Sequence, residues 1–250
     1  MGLMVERVFE EVVRGRRLAC AAHEVDGDAV VLFSHGFRGE RTGPNRTFVT
    51  AARRLGEVGV SSVRFDQYGS GDSAGDFIDS RFIDWIDTIR VLARRHLEQG
   101  RRVALWGQSM GASAALCAAA DLSVSAAVAW VPDASVDPFT PGLDGYVEEG
   151  GQRVGNAFWQ QAKDADVPAR FKEVAAPCYL VFGTGDAYVS TENRDALTRN
   201  AKSSDRVDVF DGWPHSAWTA EQADTVIDRS IAFLVPYLTS SRDRQRQDLA

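Results

Sequence analysis

Short apolar runs separated by longer amphipathic ones constrain this chain more than any other feature. AVVLFS (29–34), SSVRFD (61–66), RVALWG (102–107), VSAAVAWV (124–131), PCYLVFG (177–183) and RVDVF (206–210) are rich in apolar or β-branched residues and bounded by Gly, Pro or Asp. Near-continuous apolar runs suit strands covered on both faces, which is the condition of a parallel sheet between helices. Between two of them, Phe82, Ile86, Ile89 and Ala93 recur at helical spacing before Gly100. The last helix opens on Thr219-Ala220-Glu221-Gln222, a capping-box pattern, and carries Ile227, Ile231 and Leu234 on one face. At the start, VERVFEEVV and LACAAHEV flank residues 14–17 and read as a hairpin. Two hairpin strands and six buried ones predict an α/β fold built on a mostly parallel eight-stranded sheet.

One stretch breaks the rhythm. Residues 132–176 separate two strands by far more than a crossover helix needs, and they contain Pro132, Pro138, Pro141 and a glycine-rich run at 150–155. Connections of this length are usually lids or binding loops, so a cap inserted in a single domain of residues 1–250 is expected. The charged end, 240–250, is expected to fray.

Composition excludes several functions. A formal charge of −7 lacks the basic footprint that nucleic acid or an anionic membrane requires. No run reaches the length of a membrane span, and MGLMVERVFEE lacks the basic and apolar regions of a leader, so a cytoplasmic location is expected. Cys20, Cys117 and Cys178 have no metal or redox spacing and read as buried small side chains. Neither a metal nor a cofactor is implied, because the four histidines are scattered. GSGDSA (69–74) matches a relaxed dinucleotide fingerprint, yet DWIDTIRVL stands where the next strand should carry its acidic residue, so no nucleotide is expected.

The chemistry gathers around GQSMG (107–111). Ser109 follows a buried strand and precedes the alanine-rich MGASAALCAAA, the strand–turn–helix setting that exposes a nucleophilic hydroxyl. A serine hydroxyl is a weak nucleophile at neutral pH, so it needs a histidine base and an acid to orient that base. His23 and His96 fall within predicted elements, and His35 directly follows a strand in SHGF. His215, in the loop between the last strand and the last helix, is the better base. For the acid, Asp186 in GTGDAYV gives the chain order Ser, Asp, His with each residue just past a strand. Asp211 and Asp133 remain rivals, since each also follows a strand.

HGF (35–37), FDQYGSGDSAG (65–75), GQSMG, GTGDAYV (183–189) and WPH (213–215) together resemble the α/β-hydrolases, in that family's order and over nearly the whole chain. Among subfamilies they are most similar to short-cap cinnamoyl/feruloyl esterase-like and serine-aminopeptidase-like hydrolases. The resemblance implies an oxyanion hole formed by the backbone N–H groups of Phe37 and Met110, with His35 holding the loop. It also implies a small-molecule substrate: a carboxylic ester cleaved through an acyl-enzyme, or alternatively a thioester or acyl-transfer substrate on a carrier or coenzyme. A silent binding protein on the same fold is the remaining alternative. Phe139, Tyr146, Phe158, Trp159 and Trp213, with Trp218, are candidates to line the substrate pocket, and Arg38 and Arg41 to meet an anionic substrate.

Overall fold

The computed structural model describes residues 5–239; the segment 240–250, expected to fray, lies outside the described residues. β1 (Val5–Val13) and β2 (Arg16–Glu24) form an antiparallel hairpin. Arg14 (φ 52°) and Gly15 (φ 78°) make its turn, and two successive left-handed residues match the twist of the strands they join. Arg16 and Arg17, expected in the turn, instead open β2.

Strands and helices then alternate: β3 (Ala29–Ser34), α1 (Thr47–Glu57), β4 (Ser61–Phe65), α2 (Phe82–Glu98), β5 (Arg102–Gln108), α3 (Met110–Ala119) and β6 (Ala126–Trp130). The long connection follows. It holds a small hairpin, β7 (Tyr146–Glu149) and β8 (Gln152–Gly155), then α4 (Asn156–Asp164) and α5 (Val167–Glu173). Val154 of β8, Phe158 and Ala162 of α4, and Val167 and Phe171 of α5 all join the core cluster that contains α3, so this connection is packed onto the sheet's helices. β9 (Cys178–Gly183), α6 (Thr191–Thr198), β10 (Arg206–Phe210) and α7 (Ala220–Leu238) complete the chain.

The eight strands lie in the order β1-β2-β4-β3-β5-β6-β9-β10. Pairing is antiparallel up to the β2–β4 contact and parallel beyond it. β3, β4, β6 and β9 are buried throughout, and β5 is buried after Arg102, because helices cover both faces. α1 and α7 pack on one face over Phe33, Trp106 and Trp130. α2, α3 and α5 pack on the other, over Leu32, Leu105 and Leu180. From β3 the chain crosses first to β4 on one side and then to β5 on the other, so the loops after β3 and β5 diverge and leave a crevice at their carboxyl ends. That crevice fixes where a site can form.

Phe33 is fully buried between Phe48 (4.9 Å between ring centroids) and Trp106 (5.1 Å). Phe33→Ala should cost about 3–5 kcal/mol, since neighbouring strands and α1 limit collapse into the cavity. Urea unfolding with an unchanged m-value and a lowered midpoint is the expected result.

Candidate active site

Ser109 sits between β5 and α3 with φ 52° and ψ −129°, a conformation that costs a non-glycine residue about 1–3 kcal/mol. Its surroundings hold it there. The Ser109 N–H donates to the Trp130 carbonyl on β6 (2.8 Å), and its own carbonyl accepts from the N–H groups of Ala112 (2.8 Å) and Ser113 (3.1 Å) at the start of α3. A Cβ at Gly107 would collide with the backbone of Ala112, and one at Gly111 with the His35 carbonyl. The strand, the helix and the loop after β3 therefore close on the serine only because these two positions lack side chains.

The loop after β3 is fixed by His35, which is fully buried. Its Nδ1–H donates to the Gly36 carbonyl (2.7 Å) and its Nε2 accepts the Gln67 N–H (2.9 Å). Only a neutral ring can do both, and burial favours that form by lowering the pKa. The next residues carry Phe37, whose N–H, like that of Met110, is not taken by any acceptor among the described residues. Gly36 brings this loop close to the nucleophile: a Cβ there would lie 3.1 Å from Cβ of Ser109.

His215 and Asp186 come from two further loops, after β10 and β9. The His215 Nδ1–H donates to Asp186 Oδ2 at 2.7 Å, and Asp186 Oδ1 accepts from the N–H groups of Tyr188 (2.8 Å) and Val189 (2.9 Å). Burial pushes the Asp186 pKa up, but the bond and charge of His215 and the two amides outweigh it, so the carboxyl stays below its ordinary value. His215 and Ser109 line the same two cavities.

The rival acids go elsewhere. Asp211 accepts from the Thr184 hydroxyl (2.9 Å). Asp133 accepts from the Ser135 N–H (2.7 Å) and faces the cavity as a wall, its pKa raised by burial and by Asp137 and Asp186. Of the other histidines, His23 is buried in β2 beside Glu6, and His96, in the last turn of α2, is lowered to about 4 by burial and by Arg101. Arg41 is spent on Asp66 and Asp72, whereas Arg38 reaches the cavity and faces Glu149 at 4.0 Å.

The aromatic candidates divide. Trp159 lines the space beside Ser109, and with Phe139 it also walls a cavity of about 400 Å³ that Val147, Glu148 and Glu149 of the β7–β8 hairpin help to line. Phe158 does not line it: it is fully buried among Phe77, Phe82 and Trp85, because its place on α4 faces the sheet's helices. Tyr146 lies beneath Arg153 on the hairpin, and Trp213 stacks on Phe210 (4.0 Å, 13°), so neither reaches the cavity. Trp218 is buried against Trp130. Sequence reasoning missed Tyr188, 68% exposed, whose ring lies 5.3 Å from that of His215 and lines the cavity with Trp159. Its position two residues past Asp186 was the available signal.

Residues 26–136 match the family model of the S33 serine aminopeptidases. Among solved structures the chain is similar to Est1E from Butyrivibrio proteoclasticus, solved with ferulic acid bound: TM-score 0.79, 19% identity, covering 93% of this chain and 100% of that one. It is also similar to the α/β hydrolase GrgF from Penicillium (0.78, 17%, 94% and 99%). This chain has the α/β-hydrolase fold. The esterase domain of a Rhodothermus marinus protein shares that hydrolase fold at TM-score 0.70 and 22% identity, covering 95% of this chain and 100% of that one. No curated protein matches. Among the described residues no helix of this hydrolase fold is long and apolar enough to cross a membrane.

Asp186 should report its hydrogen bond to His215 in acid. With its folded pKa below the unfolded value near 3.8, it adds stability at every pH above that value, and the addition is lost as pH falls through the folded pKa. Asp186→Asn should therefore flatten the fall in Tm between about pH 5 and pH 2. An unchanged acid limb in the variant would mean that the carboxylate is not held as described.

Proposed function

We propose that this chain is a serine hydrolase that cleaves a carboxylic ester through an acyl-enzyme. The observation that carries the reading is the 2.7 Å bond from His215 to Asp186, with His215 and a strained Ser109 on one cavity wall. Asp186 holds the tautomer in which Nδ1 carries the proton, leaving Nε2 free to accept one. As Ser109 Oγ bonds to the ester carbonyl carbon, its proton passes to Nε2 and the carbonyl oxygen takes the negative charge. The free N–H groups of Phe37 and Met110 are the donors for that oxygen, and such donors contribute about 3–4 kcal/mol each. When the tetrahedral species collapses, the C–O bond to the alcohol breaks and His215 returns the proton to the departing oxygen. Water then attacks the acyl-enzyme in the reverse sequence, releasing the acid and restoring Ser109.

The cavity sets the acyl group. Trp159 and Tyr188 stand beside Ser109 together with Asp133, Glu149 and Arg38, and Phe139 lies in the adjoining cavity with further charged side chains, so an aromatic acyl group that carries polar substituents suits this space. The ferulic acid bound to Est1E is consistent with this preference.

A fluorophosphonate should label the protein once, on Ser109, and Ser109→Ala should abolish labelling. Asp186→Asn should lower kcat on a nitrophenyl ester by about 10⁴ with little change in KM. Labelling that persists in Ser109→Ala, measured by intact mass, would remove the nucleophile from the mechanism. Trp159→Ala should shift kcat/KM between bulky aromatic and short aliphatic esters by about tenfold or more, while labelling of Ser109 continues. If selectivity holds and only Tm drops, Trp159 is a packing residue.

A further inference from the structure

The sheet ends on one side at β1, which pairs only with β2 among the described residues. Which of its backbone groups face outward follows from the neighbouring strand. The Ala19 and Arg17 carbonyls accept from the Asp66 and Ala74 N–H groups (both 2.9 Å), and the Ala19 N–H donates to the Ser73 hydroxyl (2.9 Å). These two residues of β2 therefore turn their backbone away from β1. Val12 faces Arg17 and Glu10 faces Ala19, so the N–H and C=O groups of Val12 and Glu10 point outward, and at a period of two so do those of Val8 and Glu6. The Val12 carbonyl accepts from Arg95 (2.8 Å) and keeps a second lone pair. The other outward groups take part in no hydrogen bond among the described residues.

Exposed edges are usually blunted by short strands, lysine, proline or bulges. β10, at the other end of the sheet, has five residues and gathers Arg206 and Arg229 on Asp208. β1 has nine residues in unbroken register with β2, and neither lysine nor proline. Val5, Val8 and Val12 are 44%, 74% and 59% exposed, so three of the nine exposed large hydrophobic side chains among the described residues stand on the strand with unpaired backbone. Its charges, Glu6, Arg7, Glu10 and Glu11, are the remaining deterrent, and they oppose some pairings only.

Antiparallel pairing of β1 with a second copy of itself about a two-fold axis must set outward groups against outward groups, so the allowed registers differ by two residues. With Phe9 facing Phe9 of the second copy, all nine residues overlap: Val5 faces Val13, Glu6 faces Val12, Arg7 faces Glu11 and Val8 faces Glu10, each twice. No like charges meet. Arg7 meets Glu11 at a non-hydrogen-bonded pair, where side chains lie closest. Arg7 is already paired with Glu24 (3.0 Å) and Glu11 with Arg95 (2.5 Å), so the row Glu24, Arg7, Glu11, Arg95 alternates in sign across the join. A slip of two residues in one direction sets Glu6 against Glu10, and in the other Glu10 against Glu10, and like charges directly opposite are unfavourable. We propose that two copies of this chain join along β1 in the Phe9-centred register, so that their eight-stranded sheets continue as one.

Sedimentation equilibrium of the whole chain, run over a concentration series, should show the mass rising from that of one chain toward that of two. The mass of a single chain at every concentration up to about 0.1 mM would overturn the proposal. Val8→Pro removes an outward N–H and no hydrogen bond to β2, so Tm at low concentration should stay within about 2 °C of the wild type. Its dimer dissociation constant should rise about tenfold or more, since an edge without that donor and with a ring in its path no longer pairs. A dimer as tight as the wild type's would place the contact elsewhere and overturn the β1 join. Val8→Glu and Val8→Lys test the register without altering the backbone. The new carboxylate would face Glu10 of the second copy at two places, whereas the ammonium would meet an opposite charge there. Val8→Glu should therefore dimerise about fivefold or more weakly than Val8→Lys. Equal affinity in the two variants would overturn the Phe9-centred register.

Discussion

The approach of the Gly111 backbone to the His35 carbonyl is the contact on which the rest of the site depends. It lets the helix after β5 start directly against the loop after β3, so that Met110 and Phe37 present unspent N–H groups on either side of Ser109. A single methyl group at position 111 would separate those loops. Strain at Ser109 is sustained by the same closeness: its amide is tied to β6, and its carbonyl starts α3. About 1–3 kcal/mol of unfavourable backbone is small against the burial of five central strands, and it is affordable only where packing overdetermines the conformation.

The architecture was legible because it depends on burial. Runs such as AVVLFS and PCYLVFG have no polar face, and only a sheet covered on both sides accepts them. Ser109, Asp186 and His215 were equally visible, since each follows a strand in sequence and strand ends converge in a parallel sheet. Choosing among the three candidate acids was harder. Asp133, Asp186 and Asp211 all follow strands, and what separates them is a hydrogen bond to His215 that forms across 29 residues, a matter of loop conformation and not of periodicity.

The aromatic walls were least legible. Phe158 and Trp159 are neighbours on α4, yet a helix turns about 100° between successive residues, so one is sunk among Phe77 and Trp85 while the other faces the cavity. Nothing in the spacing of residues 132–176 says which face of so short a helix meets the sheet's helices. Tyr188 is hidden for a different reason: it lies in a turn whose backbone serves Asp186, and its side chain is aimed by that turn.

Arg38 joins two parts of the molecule that would otherwise be independent. It follows Phe37 directly, has φ 56°, and lays its guanidinium against Gly150 at the tip of the cap hairpin, where a side chain would occupy the same space. The hairpin thus rests on the residue next to Phe37, whose N–H has no acceptor among the described residues. Hairpin and cavity wall share one peptide link, so a displacement of the hairpin tip reaches the Phe37 N–H within a single residue. In the esterase proposed above, what enters the cavity and how fast it reacts would depend on the same few atoms.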